Sequence, residues 1–148
     1  MKILASVCLF ILCPLSLPAL HLEEVETGEV ASFQHAGILS EIVCHPDGVH
    51  VLSSSRDQCV RLFEIKTGKL IRRFTVPGCG SMWGIRFLND GKEFLSASSS
   101  DDIFRFEVAT GKVLTTYHHA DTAYLIALHP NGKWFVGTDS ANKGLFAL

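Results

Sequence analysis

The sequence predicts an all-β fold built of repeated four-stranded units. Short apolar runs that suit strands are separated about every ten residues by turns containing Gly, Asn or Asp. These residues accept the positive φ angles that tight hairpins require. The runs are also too short, and too rich in β-branched and aromatic residues, for helices. The third observation is that the turns recur with a period of about forty residues, which indicates a repeat architecture.

Two kinds of turn define the repeat. The first kind is spaced by 43 and then 41 residues, and the second by 40 and then 43 residues. The turns are Asp47-Gly48, Asp90-Gly91 and Asn131-Gly132 for the first kind, and Thr27-Gly28, Thr67-Gly68 and Thr110-Gly111 for the second. Three consecutive units follow from this spacing.

The strands predicted between these turns form antiparallel meanders. In chain order they are Leu39–Cys44, Val49–Ser55, Cys59–Ile65, Leu70–Thr75, Met82–Phe87, Glu93–Ser98, Ile103–Val108, Val113–Tyr117, Ala123–Leu128, Lys133–Thr138 and Lys143–Ala147. Consecutive apolar residues, as in Val51-Leu52 and Trp134-Phe135-Val136, predict that both faces of each sheet are covered. Stacked sheets meet that requirement.

The first nineteen residues predict a signal peptide. Lys2 precedes an uncharged, Leu- and Ile-rich stretch, and cleavage is expected after Ala19. An apolar membrane anchor is the alternative, although Pro14 and Pro18 would break a spanning helix. With a genuine signal the protein is exported, either secreted or periplasmic; otherwise it is cytoplasmic. Residues 20–148 then hold three repeats, at about 29–65, 70–108 and 113–148.

The charge balance excludes a basic nucleic-acid surface. Lys and Arg total 13 against 15 Asp and Glu, so the chain lacks the excess of cations that phosphate neutralisation needs. We therefore expect no nucleic-acid partner. A hydrophobic fraction of 47% with 19% charged residues also excludes a disordered chain.

Short motifs recur at fixed distances from the turns. His35 and His119 each lie thirteen residues before a turn glycine. Ser55-Arg56-Asp57, Phe63-Glu64 and Thr67-Gly68-Lys69 follow in the first unit. These motifs resemble the repeats of the tryptophan–aspartate (WD) repeat β-propellers, which have a Gly-His signature at the histidine position and Trp-Asp in place of Phe63-Glu64. The later units depart from this pattern, because Ser100 and Ser140 stand at the position of Asp57.

The resemblance implies that certain polar residues join a hydrogen-bonded network that ties a blade together. The residues at those positions are His35, Ser53, Ser55, Asp57, Phe63 and His119. Ser53 or Ser55 with His35 and Asp57 also supplies the residue types of a catalytic triad. We favour the structural role, because the sequence has no Gly-x-Ser-x-Gly nucleophile elbow. The chain is therefore predicted not to be an enzyme.

No metal or cofactor is predicted either. His118, His119, Asp121 and His129 are close in sequence, but no helix-borne metal motif such as His-Glu-x-x-His occurs. Gly78-Cys79-Gly80 lacks the lysine and the helix of a phosphate-binding loop.

The resemblance also implies which positions face partners at the mouth of the channel. These are the residues three and five places after the His position, and the residue before the turn Asp. They are Ile38, Ser40, Arg56, Ser81, Trp83, Ser99, Thr122, Tyr124 and Asp139, of which Arg56, Trp83, Tyr124 and Asp139 are the preferred contacts. The alternative for Trp83 is ordinary packing between blades.

Three blades are too few for a closed propeller, which has typically about 4–8. One arrangement that closes the ring is a head-to-tail homodimer of six blades, in which Glu29–Gln34 completes the partner's third blade. The alternative is that the chain is a piece of a longer repeat protein. The predicted function is a non-enzymatic protein-binding or scaffold module whose partners are proteins. Its rival is part of an exported propeller enzyme of lactonase or dehydrogenase-subunit type.

Overall fold

The computed structural model describes residues 32–88, 90–118, 122–138 and 143–148, in which eleven strands form three antiparallel sheets. The strands are β1 (Leu39–Cys44), β2 (His50–Ser55), β3 (Cys59–Glu64), β4 (Leu70–Phe74), β5 (Met82–Phe87), β6 (Glu93–Ser98), β7 (Asp102–Glu107), β8 (Val113–His118), β9 (Leu125–Leu128), β10 (Trp134–Thr138) and β11 (Lys143–Ala147). The all-β prediction is confirmed. The predicted signal peptide, His119 and Asp139 lie outside the described residues.

Each sheet is a meander of neighbouring strands. Sheet 1 has the order β1-β2-β3-β4, sheet 2 has β5-β6-β7-β8, and sheet 3 has β11-β10-β9. The turn glycines Gly48, Gly91 and Gly132 have φ angles near +70°, a conformation that glycine adopts without the steric cost of a Cβ atom. Among the described residues, no helix is long and apolar enough to cross a membrane.

Sheets 1 and 2 pack face to face through an aromatic core. Phe74 at the end of β4 lies with its ring centroid 4.8 Å from that of Phe94 and 5.7 Å from that of Phe106. Phe94 and Phe106 stack on each other at 5.0 Å, and all three side chains are buried. Leu52 on β2 and Ile85 on β5 are buried in the same core. The stacking predicted from consecutive apolar residues is present here.

Sheets 2 and 3 share a second core. Leu95 and Ile103 of sheet 2 are buried with Ile126 and Phe135 of sheet 3. Tyr117 on β8 meets the Phe135 ring at 5.0 Å, edge to face. Sheets 1, 2 and 3 are therefore packed one against the next in a single series.

The first strands of the three sheets lie side by side, with β1 against β5 and β5 against β9. Gly84 on β5 allows β5 and the chain just before β9 to approach closely. Its N–H donates to the Tyr124 carbonyl at 2.9 Å, and a Cβ at this position would lie 2.7 Å from that oxygen. Only glycine fits this approach without moving backbone. The consequence is that Trp83, the preceding residue, lies beside Tyr124.

The outer face of sheet 3 departs from the prediction that both faces are covered. Val51 and Leu52 of sheet 1 are both buried, as expected, but Trp134 is 43% exposed. The physical reason is that sheet 3 has a packed neighbour on one face only among the described residues. Sheet 3 also has three strands there, whereas sheets 1 and 2 each have four.

Candidate functional site

A buried polar network lies on the face of sheet 1 that points away from sheet 2. His35 Nε2 lies 2.5 Å from Ser53 Oγ, and His35 Nδ1 accepts a hydrogen bond from the Arg61 guanidinium. Arg61 also pairs with Asp57, at 2.7 Å to Oδ2 and 3.0 Å to Oδ1. Asp57 Oδ2 accepts the Ala36 N–H at 2.9 Å. The side chains of His35, Asp57 and Arg61 are 4%, 10% and 6% exposed.

The strand register explains how these residues meet. Ser53 on β2 pairs with Arg61 on β3, and Val51 pairs with Phe63, so the four side chains share one face. Phe63 packs its ring 6.0 Å from the His35 ring. It thus contacts the network through its ring and adds no polar group to it.

Ser55 has different partners from Ser53. Its Oγ donates to the Ile38 carbonyl at 3.0 Å and accepts the Asp57 N–H at 3.2 Å. Ser53 and Ser55, which the sequence does not distinguish, therefore have different roles. Ser53 contacts the imidazole of His35, whereas Ser55 joins Ile38, just before β1, to the turn at Asp57.

Arg61 is the member of the network that sequence analysis missed. The signal was an arginine inside the apolar strand Cys59–Glu64, where a buried cation needs a buried partner. The equivalent position in sheet 2 is Phe104, and Gly78 and Ser100 stand at the positions of His35 and Asp57. Sheet 2 therefore lacks this network.

The network fixes the protonation state of its members. Burial, reinforced by the Arg61 cation, lowers the pKa of His35 from its ordinary 6.5, and Asp57 opposes this only in part. Burial opposes ionisation of Asp57, but the Ala36 N–H and the Arg61 guanidinium together hold its pKa below 3.8. His35 is thus neutral, with its proton assigned to Nε2, and it faces the Asp57–Arg61 ion pair.

This arrangement predicts that acidification destabilises the fold through His35. Because the folded state binds the His35 proton less tightly than the unfolded chain, the contribution of His35 to stability is complete above about pH 6.5 and falls as the pH decreases below that value. His35→Gln should remove this part of the pH dependence. Urea unfolding of both proteins between about pH 7.5 and 5.5 measures it.

The control for this experiment is His129→Gln, since His129 is exposed and its ring accepts the Asn131 N–H of its own turn. The wild-type protein and His129→Gln should lose stability in parallel as the pH falls, and His35→Gln should lose less. Equal slopes for all three proteins would contradict a neutral, buried His35.

A second cluster lies where the first strands of the three sheets meet. The Arg56 guanidinium carbon lies 4.9 Å from the centroid of the Trp83 ring, and the Trp83 and Tyr124 rings meet at 5.3 Å, edge to face. Arg56 follows β2, Trp83 is on β5 and Tyr124 precedes β9. Three of the four preferred contact residues are therefore neighbours, each from a different sheet. We call Arg56, Trp83 and Tyr124 the rim cluster.

The histidines considered for a metal site lie at different places. His118 Nδ1 is 2.7 Å from Asp102 Oδ1 on the neighbouring strand. His129 Nδ1 instead accepts the Asn131 N–H within its own turn, at 3.2 Å. Within the described ranges, no three His, Cys, Asp or Glu side chains are grouped so that they could hold a metal ion.

Residues 28–64 match the family model of the WD domain, G-beta repeat. The chain contains a WD repeat. The resemblance inferred from His35, Asp57 and the Thr-Gly turns is thereby confirmed. The matched residues include the polar network of sheet 1, which is the sheet whose sequence keeps the His and Asp of the WD pattern.

Two curated relatives of the chain carry WD repeats in their names. The chain is 32% identical over 108 residues to a bromodomain and WD repeat-containing protein of Dictyostelium discoideum, and 24% identical over 86 residues to a WD repeat domain-containing protein 83 homolog of the same organism. It is 26% identical over 102 residues to protein Atg16l2 of Mus musculus. These alignments cover 70%, 58% and 66% of the chain but 4%, 26% and 16% of the relatives.

Proposed function

We propose that this chain is a non-enzymatic protein-binding module that uses the rim cluster as its contact surface. Proteins built of WD repeats generally act as scaffolds for protein interactions. The observation that carries the proposal is the convergence of Arg56, Trp83 and Tyr124 from three sheets. Aromatic and arginine side chains are the ones that most often supply binding energy at interfaces.

The chemistry of the network supports a structural role for it instead of a catalytic one. Ser53, the serine beside His35, is 1% exposed, so a substrate cannot reach its Oγ. His35 Nδ1 is occupied by Arg61, whereas in a catalytic triad the orienting carboxylate binds that nitrogen. We therefore propose that these residues brace sheet 1. No feature of the described residues favours the rival, an exported propeller enzyme.

Peptide selection tests the contact surface. A random peptide library displayed on phage is selected against the chain, and the affinity of each selected peptide is measured by fluorescence polarisation. Tyr124→Ser should weaken binding by about tenfold or more, as expected for an aromatic contact residue. Leu114→Ser, which changes an exposed apolar residue on the outer strand β8, should have no effect. Failure to select any peptide, or equal binding to Tyr124→Ser, would rule out the rim cluster as a binding surface.

We further propose that two chains pair head to tail, with Glu29–Gln34 of one completing sheet 3 of the other. Support comes from the missing fourth strand of sheet 3 within the described part of the chain and from the exposed Trp134 on its outer face. Strand edges of this kind readily pair with another strand.

Light scattering tests the pairing on a chain that starts at Leu20, since we propose that residues 1–19 are removed on export. The expected mass is twice that of a single chain. Trp134→Glu should shift the protein toward the monomer, because it places a charge in the proposed contact. A wild-type chain that stays monomeric and folded at high concentration would dispose of the pairing.

A further inference from the structure

A cavity of about 260 Å³ lies beside the rim cluster, between the first strands of the three sheets. It is lined by Ser40, Glu41, Trp83, Gly84, Tyr124 and Leu125. Tyr124 and Leu125 are 39% and 60% exposed, so the cavity opens beside apolar surface that a partner could cover. Its polar groups decide what kind of partner fits.

Two of the lining residues carry a buried polar atom without a hydrogen-bond partner. They are Ser40 Oγ and Trp83 Nε1, and no other such side-chain atom occurs among the described residues. Burying a polar group without a hydrogen-bond partner destabilises a protein, so proteins rarely keep one. The indole N–H can only donate, and the hydroxyl can donate as well. Both atoms therefore favour a ligand that brings hydrogen-bond acceptors.

The charges around the cavity favour an anion. Glu41 is already neutralised, because its carboxylate pairs with Arg86 and accepts the Ile85 N–H at 2.8 Å. Arg56, by contrast, has no carboxylate within 4.0 Å in the described ranges, and its guanidinium lies over the Trp83 ring. Among the described residues, the unbalanced charge at this site is thus the cation of Arg56.

We propose that the rim cluster binds an acidic peptide segment, in which an Asp or Glu side chain lies next to an apolar one. The carboxylate pairs with Arg56, and the peptide's acceptors take the Trp83 N–H and the Ser40 hydroxyl. The apolar side chain covers Tyr124 and Leu125. This inference rests on the proposed function, because it names the chemistry of the partner at the same surface.

Binding requires a local rearrangement. Both unpartnered atoms are closed to solvent in the free chain. Arg56 lies over the Trp83 ring and Tyr124 packs against it, so these are the side chains that a bound segment displaces. Arg56 keeps a partner throughout, since it exchanges the Trp83 ring for a carboxylate.

The sequences of the peptides selected above test the partner's chemistry. Among peptides that lose binding on Tyr124→Ser, Asp and Glu next to an apolar residue should be enriched over the starting library. Peptides that depend on Tyr124 but are not enriched in acidic residues would overturn this inference and leave the proposed binding surface standing. A selection that yields no peptide would contradict the proposed function itself.

Variants then assign the contacts. For the best peptide, replacing its acidic residue by the amide should weaken binding by about tenfold, as for a charge-assisted hydrogen bond. The Arg56→Gln variant should bind the acidic peptide and its amide counterpart with equal affinity. The Arg73→Gln variant, which removes an exposed arginine on β4, should still bind the acidic peptide more tightly. Trp83→Phe keeps a ring but removes the N–H, and it should also weaken binding. An amide peptide that binds as tightly as the acid would contradict the proposed contact with Arg56.

Discussion

Replacing Arg61 by methionine is expected to lower the free energy of unfolding by about 3–5 kcal/mol, the usual cost of breaking a buried ion pair. The variant leaves the Asp57 carboxylate buried with the Ala36 N–H but without its cation. It also removes the donor to His35 Nδ1. Both losses occur at side chains that water scarcely reaches, so solvent cannot replace the lost contacts.

Chemical unfolding in urea measures this effect, with Lys92→Met as the matched control. Lys92 pairs with Asp90 at 3.6 Å, but both side chains are exposed, and exposed ion pairs contribute little to stability. The control should therefore unfold close to the wild type. A loss at Arg61→Met as small as that at Lys92→Met would show that the network does not brace sheet 1.

Phe94→Ala should cost about 3–5 kcal/mol, because it empties the centre of the core between sheets 1 and 2. The Phe94 ring stacks on Phe106 and meets Phe74 edge to face, so its loss removes contacts within sheet 2 and across to sheet 1. The cysteines in the described part of the chain are free, so no disulfide joins the two sheets there, and this core is their main apolar contact.

Thermal and urea unfolding of Phe94→Ala, Phe94→Leu and Leu114→Ala test this point. Phe94→Leu keeps most of the apolar volume and should fold with a smaller loss, so a result is obtained even if the alanine variant does not fold. Leu114 is exposed on β8 and its replacement should change little. Nearly equal stability of the three variants would contradict a core centred on Phe94.

The sequence predicted the strands and turns well because both depend on local chemistry. Met82–Phe87 and Glu93–Ser98 form strands with the predicted bounds. The sequence predicts that the ninth strand starts at Ala123, two residues before the observed start at Leu125. Ala123 is buried and Tyr124 donates its N–H to the Thr138 carbonyl, but regular pairing begins at Leu125.

The candidate site was harder to predict because its contacts join residues far apart in the chain. Arg61 meets His35 across 26 positions, and nothing in the spacing alone shows which serine, Ser53 or Ser55, faces the imidazole. The strand register decides it, since Ser53 pairs with Arg61. Likewise, Trp83 and Tyr124 lie side by side because Gly84 lets two backbones approach, and that requirement is visible only in three dimensions.

The measurement that tests the account most directly is a double-mutant cycle between Asp57 and Arg61. Unfolding free energies are compared for the wild type, Asp57→Asn, Arg61→Met and the double variant. If the network braces sheet 1, the sum of the stability losses in the two single variants should exceed the loss in the double variant by about 2 kcal/mol or more. Losses that add to within about 0.5 kcal/mol would mean that the two residues act independently, and the structural role proposed for the His35–Asp57–Arg61 network would be wrong.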